Sequence, residues 1–179
     1  MLTLALDISK VRSVVGAKEN YQLQVKNFDF QTTQFELADD LRLFLTIVNE
    51  GRYLQLSGQI ETTVKSHCDR CLKEVILSVK CSISERLLFV NDAKLYAHLA
   101  VGELEELYYL YNGDFFDAED LVRESILADL PLKVLCRRDC QGLCSKCGQD
   151  LNAGSCQCQT TEIDPRLAIL AKLKATEEV

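Results

Sequence analysis

Apolar and polar residues alternate along three long stretches of the chain. The first runs from Leu41 to Val48, the second from Tyr53 to Lys65 and the third from Val75 to Val90. A period of two residues is typical of β-strands that bury one face. Turn-forming residues separate the first two stretches at 49–51. The pattern therefore predicts an antiparallel β-meander.

Shorter patterns precede this meander. Leucines alternate with small or polar residues over Leu2–Leu6, and Tyr21–Val25 alternates in the same way, so both stretches are predicted as short strands. Between them, Asp7 is predicted to cap a short helix that continues to Val15 and ends at Gly16.

Helical spacing appears after the meander. A helix is predicted to begin at Asp117, because acidic residues favour the positive end of the helix dipole, and to end at Pro131. The positions that recur at helical spacing are Leu121, Val122, Ser125, Ile126 and Leu130. Asn91–Glu106 is predicted as a loop and Leu107–Tyr111 as a further short strand. A last helix is predicted to begin at Asp164-Pro165, where a cap residue precedes a first-turn proline.

The cysteines supply the strongest chemical signal. Six of the nine lie in one stretch with the spacing C-x3-C-x3-C-x2-C-x8-C-x-C, at Cys136, Cys140, Cys144, Cys147, Cys156 and Cys158. Cys68 and Cys71 form a separate CxxC pair in the sequence HCDRCL, between the second and third long strands. Because four thiolates make a closed structural zinc site, these eight cysteines predict two zinc ions, with one ion as the alternative.

Two groupings of the eight cysteines are compatible with their spacing. The preferred grouping makes one site from Cys144, Cys147, Cys156 and Cys158 and a second from Cys68, Cys71, Cys136 and Cys140. The alternative joins the two pairs between residues 136 and 147, although only three residues separate those pairs. In the preferred grouping Gly148 allows the left-handed backbone that commonly follows a CxxC turn, and the second site clamps distant parts of the chain together.

Other roles for the cysteines are less well supported by the sequence. Cys81 lies within a strand pattern and is interpreted as an ordinary buried thiol. A redox role for the CxxC pairs is a further interpretation, but no βαβ pattern surrounds them. Together these signals predict an α+β fold, in which an antiparallel β-meander with a packed helix carries a cysteine-rich zinc-knuckle lobe.

The predicted organisation is one compact unit with two parts. Residues 1–132 are expected to form the α+β domain, with the CxxC pair at a hairpin tip. Residues 133–179 are expected to form the zinc-binding module, with the C-terminal helix packed on it.

Composition narrows the class of protein. The chain has 179 residues, is 47% hydrophobic and carries a net charge of −7. The acidity is regional, because Glu85–Leu130 holds eleven acids and three bases while the remainder is nearly neutral. The opening MLTLALDISKVRS lacks the basic and apolar regions of a signal peptide, and no apolar run approaches the roughly 18 residues of a membrane span. We therefore expect a cytoplasmic protein with reduced thiols and no membrane partner.

The sequence offers no recognisable catalytic constellation. It contains two histidines, of which His67 flanks the CxxC pair and His98 falls in the predicted loop. We find no nucleophile elbow, phosphate-cradling glycine loop or HExxH motif. The acids Glu103, Glu105 and Glu106 are interpreted as a solvated surface. The chain is therefore predicted not to be an enzyme.

Basic residues cluster around the cysteines. The candidate phosphate-binding side chains are Arg70, Lys73, Lys133, Arg137, Arg138 and Lys146. Their joint presentation would suit RNA. The competing interpretation is that they neutralise the thiolates, since each four-thiolate zinc site has a formal charge of −2. Aromatic residues that could stack unpaired bases are absent from the cysteine-rich stretch.

Four stretches of the chain resemble the YceD-like family of large ribosomal RNA subunit accumulation proteins. They are CDRC after a strand, LPLKVLCRRDCQGLCSKCGQDLN, the C-x-C pair and the final DPRLAILAKL. The resemblance covers nearly the whole chain. It implies a non-enzyme of the bacterial cytosol or of plastids that is needed for normal levels of large-subunit ribosomal RNA.

Two functional hypotheses follow from the resemblance and the charges. In the first, the protein is a ribosome biogenesis factor that binds precursor ribosomal RNA or pre-ribosomal particles through a basic, zinc-organised face. In the second, it is a protein-interaction module whose acidic Glu85–Leu130 face holds a basic large-subunit ribosomal protein.

Overall fold

The computed structural model describes residues 4–92 and 107–158 of the chain. Within these ranges the elements follow in the order β1 (Ala5–Asp7), α1 (Ser9–Ser13), β2 (Lys18–Val25), β3 (Glu36–Leu37), β4 (Leu41–Asn49), β5 (Leu54–His67), β6 (Glu74–Phe89), β7 (Tyr109–Tyr111), β8 (Phe115–Asp117) and α2 (Glu119–Asp129). Long strands with two helices make the fold α+β, as the sequence predicts.

The three predicted long strands form the centre of the main sheet. The strand order is β2-β4-β5-β6-β7, and β3 pairs with part of β5. The pairs β4–β5 and β5–β6 are antiparallel, so the predicted meander is confirmed. The β5–β6 register begins at Leu54↔Leu87 and runs without interruption to His67↔Glu74. This long hairpin presents residues 68–73 as its connecting turn.

One face of the sheet supplies the core. Leu41, Leu43, Leu45 and Ile47 alternate with exposed or half-buried residues along β4, and each is almost fully buried. On β6 the predicted apolar face is likewise the more buried one. The side chains of α2 that join this core are Leu121, Val122 and Ile126. Burying a side chain of this size stabilises a fold by about 1.5–3 kcal/mol, so the shared apolar face explains why α2 packs there.

The sheet departs from a simple meander at β7 and β8. β7 pairs with β6 in parallel, so the sheet is mixed rather than wholly antiparallel. Parallel neighbours need a connection of about a dozen residues or more, and the chain between β6 and β7 is long enough. β8 was not predicted, and it pairs with β1 in a separate two-stranded sheet. The sequence of β8, Phe115-Phe116-Asp117, does not alternate between apolar and polar residues, so no period of two marks it as a strand.

The two helices begin later than predicted, by one residue for α1 and by two residues for α2. Asp7 is not the cap of α1; the cap position is Ile8, and the Asp7 carboxylate instead accepts bonds from the Ser9 N–H and hydroxyl. Asp117 ends β8 and accepts the N–H of Glu119 at 3.0 Å. In both cases the carboxylate closes a turn just before the helix. The first helix also ends at Ser13, before the predicted Val15.

The chain divides into two compact units. The first unit consists of residues up to His67 together with Glu74–Val134. The second unit consists of Cys68–Lys73 together with the chain from Leu135 onward. The CxxC turn is thus grouped with the cysteine-rich stretch. The predicted boundary at residues 132 and 133 stays a prediction.

Several predicted features lie outside the described residues. They are the start of the first strand at Leu2, most of the predicted loop Asn91–Glu106, and the helix predicted from Asp164. Within the described ranges, neither helix has the length and apolar character needed to cross a membrane.

Gly58 provides a test of the sheet packing. A Cβ atom at this position would lie 2.2 Å from the Phe44 backbone oxygen and 2.8 Å from the Leu45 Cδ2 atom. We expect Gly58→Ala to lower the free energy of unfolding by about 1–3 kcal/mol or more. The reason is that the Phe44 backbone oxygen cannot move aside to make room for the methyl group. Ser57→Ala in the same strand serves as the control. Equal denaturation midpoints for the two variants would contradict this packing.

Candidate metal centres

The first candidate centre consists of Cys68, Cys71, Cys136 and Cys140. Their sulfur atoms all lie within 4.8 Å of one another. The Sγ atoms of Cys68 and Cys140 are 3.8 Å apart, and those of Cys71 and Cys136 are 3.5 Å apart. Sulfurs at the corners of a tetrahedron around zinc, each at about 2.3 Å from the ion, are separated by about 3.8 Å. The four thiols therefore fit a tetrahedral metal site.

A tight turn brings the first two sulfurs together. The N–H of Cys68 donates to the Lys73 oxygen at 2.8 Å, and the N–H of Leu72 donates to the Cys68 oxygen at 2.9 Å. Leu72 adopts a left-handed backbone with φ 61°, which is uncommon for a residue with a side chain. The hydrogen bonds that close this turn hold Cys68 and Cys71 close together, so that both sulfurs belong to the first candidate centre.

The second candidate centre consists of Cys144, Cys147, Cys156 and Cys158, whose sulfurs also lie within 4.8 Å of one another. The N–H of Gly148 donates to the Cys144 oxygen at 2.8 Å, and the N–H of Cys144 donates to the Gln149 oxygen at 2.8 Å. Gly148 has φ 73°, the left-handed conformation that the sequence predicts after this CxxC turn. This centre is built from one continuous stretch of chain.

The structure thus brings the eight cysteines together in the preferred grouping. The alternative, which joined the two pairs between residues 136 and 147, is not formed. Two groups of four cysteines could each hold a metal ion. Cys81 belongs to neither group; it is half-buried in β6, and burial raises the pKa of its thiol.

Hydrogen bonds give the thiols of the first centre different proton affinities. Burial favours the neutral form of Cys68, but backbone N–H groups, including those of Cys136 and Cys71, outweigh it and lower the pKa of Cys68 to about 6. The hydrogen bond with Cys71, followed by burial, raises the pKa of Cys136 to about 12. One thiol is therefore ready to ligate a metal near neutral pH, and another must lose its proton when the metal binds.

The second centre follows the same pattern. Backbone N–H groups of Cys147 and Lys146 lower the pKa of Cys144 to about 6. The hydrogen bond with Cys147, followed by burial, raises the pKa of Cys158 to about 12. N–H groups in a CxxC turn stabilise a thiolate in this way because they point at the sulfur.

Asn152 is a supporting residue of the first centre that sequence reasoning missed. Its Nδ2 group donates to the Cys140 sulfur at 3.5 Å. Its Oδ1 atom accepts from the Gln141 N–H and from the Arg137 guanidinium, each at 2.8 Å. Burial alone would raise the pKa of Cys140, but the bond from Asn152 and a backbone bond from Gly142 lower it. Asn152 therefore holds the ligand loop and stabilises a thiolate.

Asp150 links Asn152 to the CxxC turn. Its carboxylate accepts from the Asn152 N–H at 2.9 Å and from the Asn152 side-chain amide at 2.7 Å. The same carboxylate pairs with the Lys73 ammonium at 2.6 Å. The Lys73 bond is the main reason that the pKa of Asp150 falls to about 2. The only sequence signal for the roles of Asp150 and Asn152 was their position in the D-x-N motif that follows Gly148.

Gly142 lies where residues 68–73 and the chain from Leu135 onward meet within the second unit. Its φ is 76°, and a Cβ atom there would lie 3.0 Å from the Arg70 backbone oxygen. The N–H of Leu143 donates to that same oxygen at 3.1 Å, and the Arg70 guanidinium donates to the Cys140 oxygen at 2.7 Å. A glycine is therefore required for this close backbone approach.

The predicted phosphate-binding residues divide into groups. Arg70, Lys73 and Arg137 are already bonded to Cys140, Asp150 and Asn152, respectively. Arg138 is exposed and makes no hydrogen bond or ion pair with the described part of the chain, and Lys146 is also exposed. Lys133 belongs to the first unit. That any of these residues binds RNA stays a prediction.

His67, the histidine that lies within the described residues, does not belong to either centre. His67 is exposed at the end of β5 and is not a member of a candidate metal group among the described residues. His98 and the three acids Glu103, Glu105 and Glu106 lie outside the described residues.

The protein-family comparison gives a match over most of the chain. A model of the family described as "Large ribosomal RNA subunit accumulation protein YceD" matches residues 56–174. This range includes all eight cysteines of the two candidate centres. No solved structure matches the chain significantly.

Relatives of the chain occur in bacteria and a plant. An uncharacterized protein of Mycobacterium tuberculosis is 28% identical over 138 residues, covering 77% of this chain and 63% of that protein. The uncharacterized protein YlbN of Bacillus subtilis is 24% identical over 165 residues, covering 86% and 91%, respectively. The Arabidopsis thaliana protein named "Large ribosomal RNA subunit accumulation protein YCED homolog 1, chloroplastic" is 21% identical over 202 residues, covering 96% and 57%. The chain thus spans less than two thirds of the mycobacterial and plant relatives.

Metal content tests the two centres separately. We expect the purified chain to hold two zinc ions, one for each four-cysteine group. Cys140→Ser and Cys147→Ser should each retain about one ion, because each removes a ligand from a different group, whereas Cys81→Ser should retain both. Elemental analysis of protein purified without chelators measures this. A zinc content near zero in the unmodified chain would refute both centres.

Asn152→Leu tests the supporting network. Loss of the hydrogen bond to Cys140 should weaken zinc at the first centre by about 10- to 100-fold, while the second centre keeps its affinity. Competition with a chromophoric chelator should then resolve a weak and a strong site. Gln157→Leu, which removes an exposed amide between two ligands of the second centre, serves as the control. Unchanged affinity at both sites would mean that Asn152 only shapes the loop.

Proposed function

The chain belongs to the YceD family of large ribosomal RNA subunit accumulation proteins, and we propose that it is a non-enzymatic ribosome biogenesis factor that supports the accumulation of large-subunit ribosomal RNA. The observation that carries this proposal is the pair of four-cysteine groups within the region that matches the family. Such groups make closed structural sites, which shape a binding surface rather than a reaction centre.

In this proposal each four-cysteine group binds a structural zinc ion. Four thiolates complete a tetrahedron and leave no coordination position for a substrate or a water molecule. The ion would therefore contribute to folding, with an apparent binding free energy of about 10–16 kcal/mol at neutral pH. The nine cysteines, which all lie within the described residues, form no disulfide, and this suits a reducing compartment such as the cytoplasm.

The proposed RNA contacts lie on the second unit, around Arg138 and Lys146. Arg138 stands between two residues of the first centre, so metal binding would hold its backbone and lower the entropic cost of a phosphate contact. Net charge cannot provide the attraction. Residues 68–73 and 135–158 hold five bases and three acids, and two four-thiolate zinc sites would add a formal charge of −4. RNA binding must therefore depend on individual exposed side chains.

A second candidate function is favoured by one surface of the first unit. A cavity of about 470 Å³ is lined by Tyr109, Phe115, Asp117, Asp120 and Glu124 among others, and none of its lining residues is basic. Phe115 is 60% exposed. Aromatic rings and carboxylates together attract lysine and arginine side chains. This surface would suit a basic ribosomal protein held before its incorporation.

Nuclease treatment separates the two functions. A tagged full-length chain should capture precursor large-subunit ribosomal RNA from cell extract, and nuclease should release the associated ribosomal proteins with it. A basic ribosomal protein that stays bound after nuclease treatment, with no RNA captured beforehand, would favour the protein-holding function instead.

Arg138→Glu tests the proposed RNA face. Removal of a phosphate contact and addition of a negative charge should weaken capture of precursor RNA several-fold and reduce the salt dependence of binding. Zinc content and thermal stability should not change, because Arg138 is exposed and makes no hydrogen bond or ion pair with residues 4–92 and 107–158. We avoid Arg137 as a test because it is bonded to Asn152. Arg42→Glu, an exposed substitution on β4, is the matched control.

The outcome that contradicts the RNA face is specific. Arg138→Glu would bind RNA like the unmodified chain, while neutralisation of Asp117, Asp120 and Glu124 would abolish capture of a basic ribosomal protein.

A further inference from the structure

A cavity in the first unit combines arginine and aromatic side chains. It has a volume of about 220 Å³, and its lining includes Arg12, Arg52, Tyr53, Phe89 and Tyr111. Pockets that enclose a whole small-molecule ligand usually measure about 300–1,000 Å³. This cavity is better suited to one portion of a longer chain, such as a single nucleotide of a strand.

Tyr111 supplies a polar group to this cavity. The residue is 6% exposed, and its hydroxyl makes no hydrogen bond within residues 4–92 and 107–158. The hydroxyl is not a fully buried atom, since within these ranges the buried side-chain atom that lacks a partner is Ser66 Oγ. It is therefore accessible to a polar atom that enters the cavity.

Arg52 and Arg12 supply positive charge in different ways. Arg52 is exposed and makes no ion pair or hydrogen bond with the described residues. Arg12 is held in place, since its guanidinium donates to the Gly113 oxygen at 2.8 Å, pairs with the Asp114 carboxylate at 3.2 Å and stacks 4.0 Å from the centre of the Phe89 ring. The Asp114 carboxylate offsets part of its charge. A guanidinium has five donor hydrogens, so Arg12 keeps donors for a ligand. The cavity thus offers one fixed and one adaptable cation.

Aromatic rings are interleaved with these cations. Tyr53 lines the cavity, and the Arg86 guanidinium lies 5.3 Å from the centre of its ring. The Phe89 and Tyr111 rings are 5.6 Å apart. Arginines together with aromatic rings are typical of surfaces that bind single-stranded nucleic acid, where rings contact bases and cations contact phosphates. Residues 68–73 and 135–158 contain no aromatic residue at all.

We propose that this cavity binds one nucleotide of single-stranded RNA, with Arg52 and Arg12 on the phosphate, the Tyr111 hydroxyl on a phosphate or sugar oxygen, and Tyr53 against the base. The proposal rests on the proposed function, because it assigns a second contact with the same RNA. One acid, Asp92, also lines the cavity. A carboxylate opposes phosphate but can accept a hydrogen bond from a ribose 2′-hydroxyl, so RNA is favoured over DNA of the same sequence.

The test measures binding of a fluorescent twelve-nucleotide single-stranded RNA to the full-length, zinc-loaded chain. Arg52→Gln should weaken binding about fivefold or more and lower the slope of log affinity against log salt by about 0.7, the share of one phosphate contact in single strands. Tyr111→Phe removes only the hydroxyl, and it should weaken binding about threefold or more without lowering the melting temperature. Arg42→Gln, a loss of equal charge outside this cavity, should bind within twofold of the unmodified chain.

The outcomes distinguish this inference from the proposed function. If the unmodified chain binds RNA and both cavity variants match Arg42→Gln, the cavity assignment is wrong and the proposed function stands. If the unmodified chain captures precursor RNA from extract but does not bind the single strand, the cavity assignment is again wrong. If it captures no RNA in either assay, both proposals fail.

Discussion

Convergence of four sulfurs from two distant stretches is the constraint on which the second unit depends. Cys68 is 72 positions from Cys140, and Cys71 is 65 positions from Cys136, yet their sulfurs lie at tetrahedral spacing. Closing so long a loop costs conformational entropy. The uninterrupted β5–β6 register reduces this cost, because it presents the Cys68–Lys73 turn from a hairpin that is already ordered. A bound metal would then offset the remainder.

The same convergence explains why many charged residues near the cysteines are bonded to other residues of the second unit. Lys73 and Asp150 bond one part of the unit to the other, and Arg70 reaches the backbone of Cys140. Asn152 ties a ligand sulfur to Arg137. A cluster of basic residues in a sequence looks like a surface for phosphates, but half of this one supports the ligand loops. Local electrostatics at the remaining side chains then matter more than the net charge of the unit.

The first unit contributes surfaces of a different chemical character. One cavity is lined by arginine and aromatic side chains and is proposed for an unpaired nucleotide; another is lined by acidic and aromatic side chains and is the candidate surface for a basic protein segment. Neither contains a cysteine. Ribosomal assembly brings RNA and basic proteins together, so a factor with separate surfaces for each could contact both. The metal centres, by contrast, are suited to holding loops in place.

The sequence by itself determined the features that depend on neighbouring residues. Alternation with a period of two located β4, β5 and β6, and the spacing of Cys144, Cys147 and Gly148 predicted the turn of the second centre. The spacing of the cysteines favoured the observed grouping over a cramped alternative, and the structure decided between the two.

Only the tertiary structure decided which distant segments meet. The parallel pairing of β7 with β6, the pairing of β8 with β1, and the cavity that joins Arg12 to Tyr111 all arise between parts of the chain that no local pattern connects. The same is true of Asp7 and Asp117, whose carboxylates close turns instead of capping helices, and of Asn152. Periodicity records which face of an element is buried, whereas partners across the fold are chosen by packing and by the hydrogen bonds that packing leaves to be satisfied.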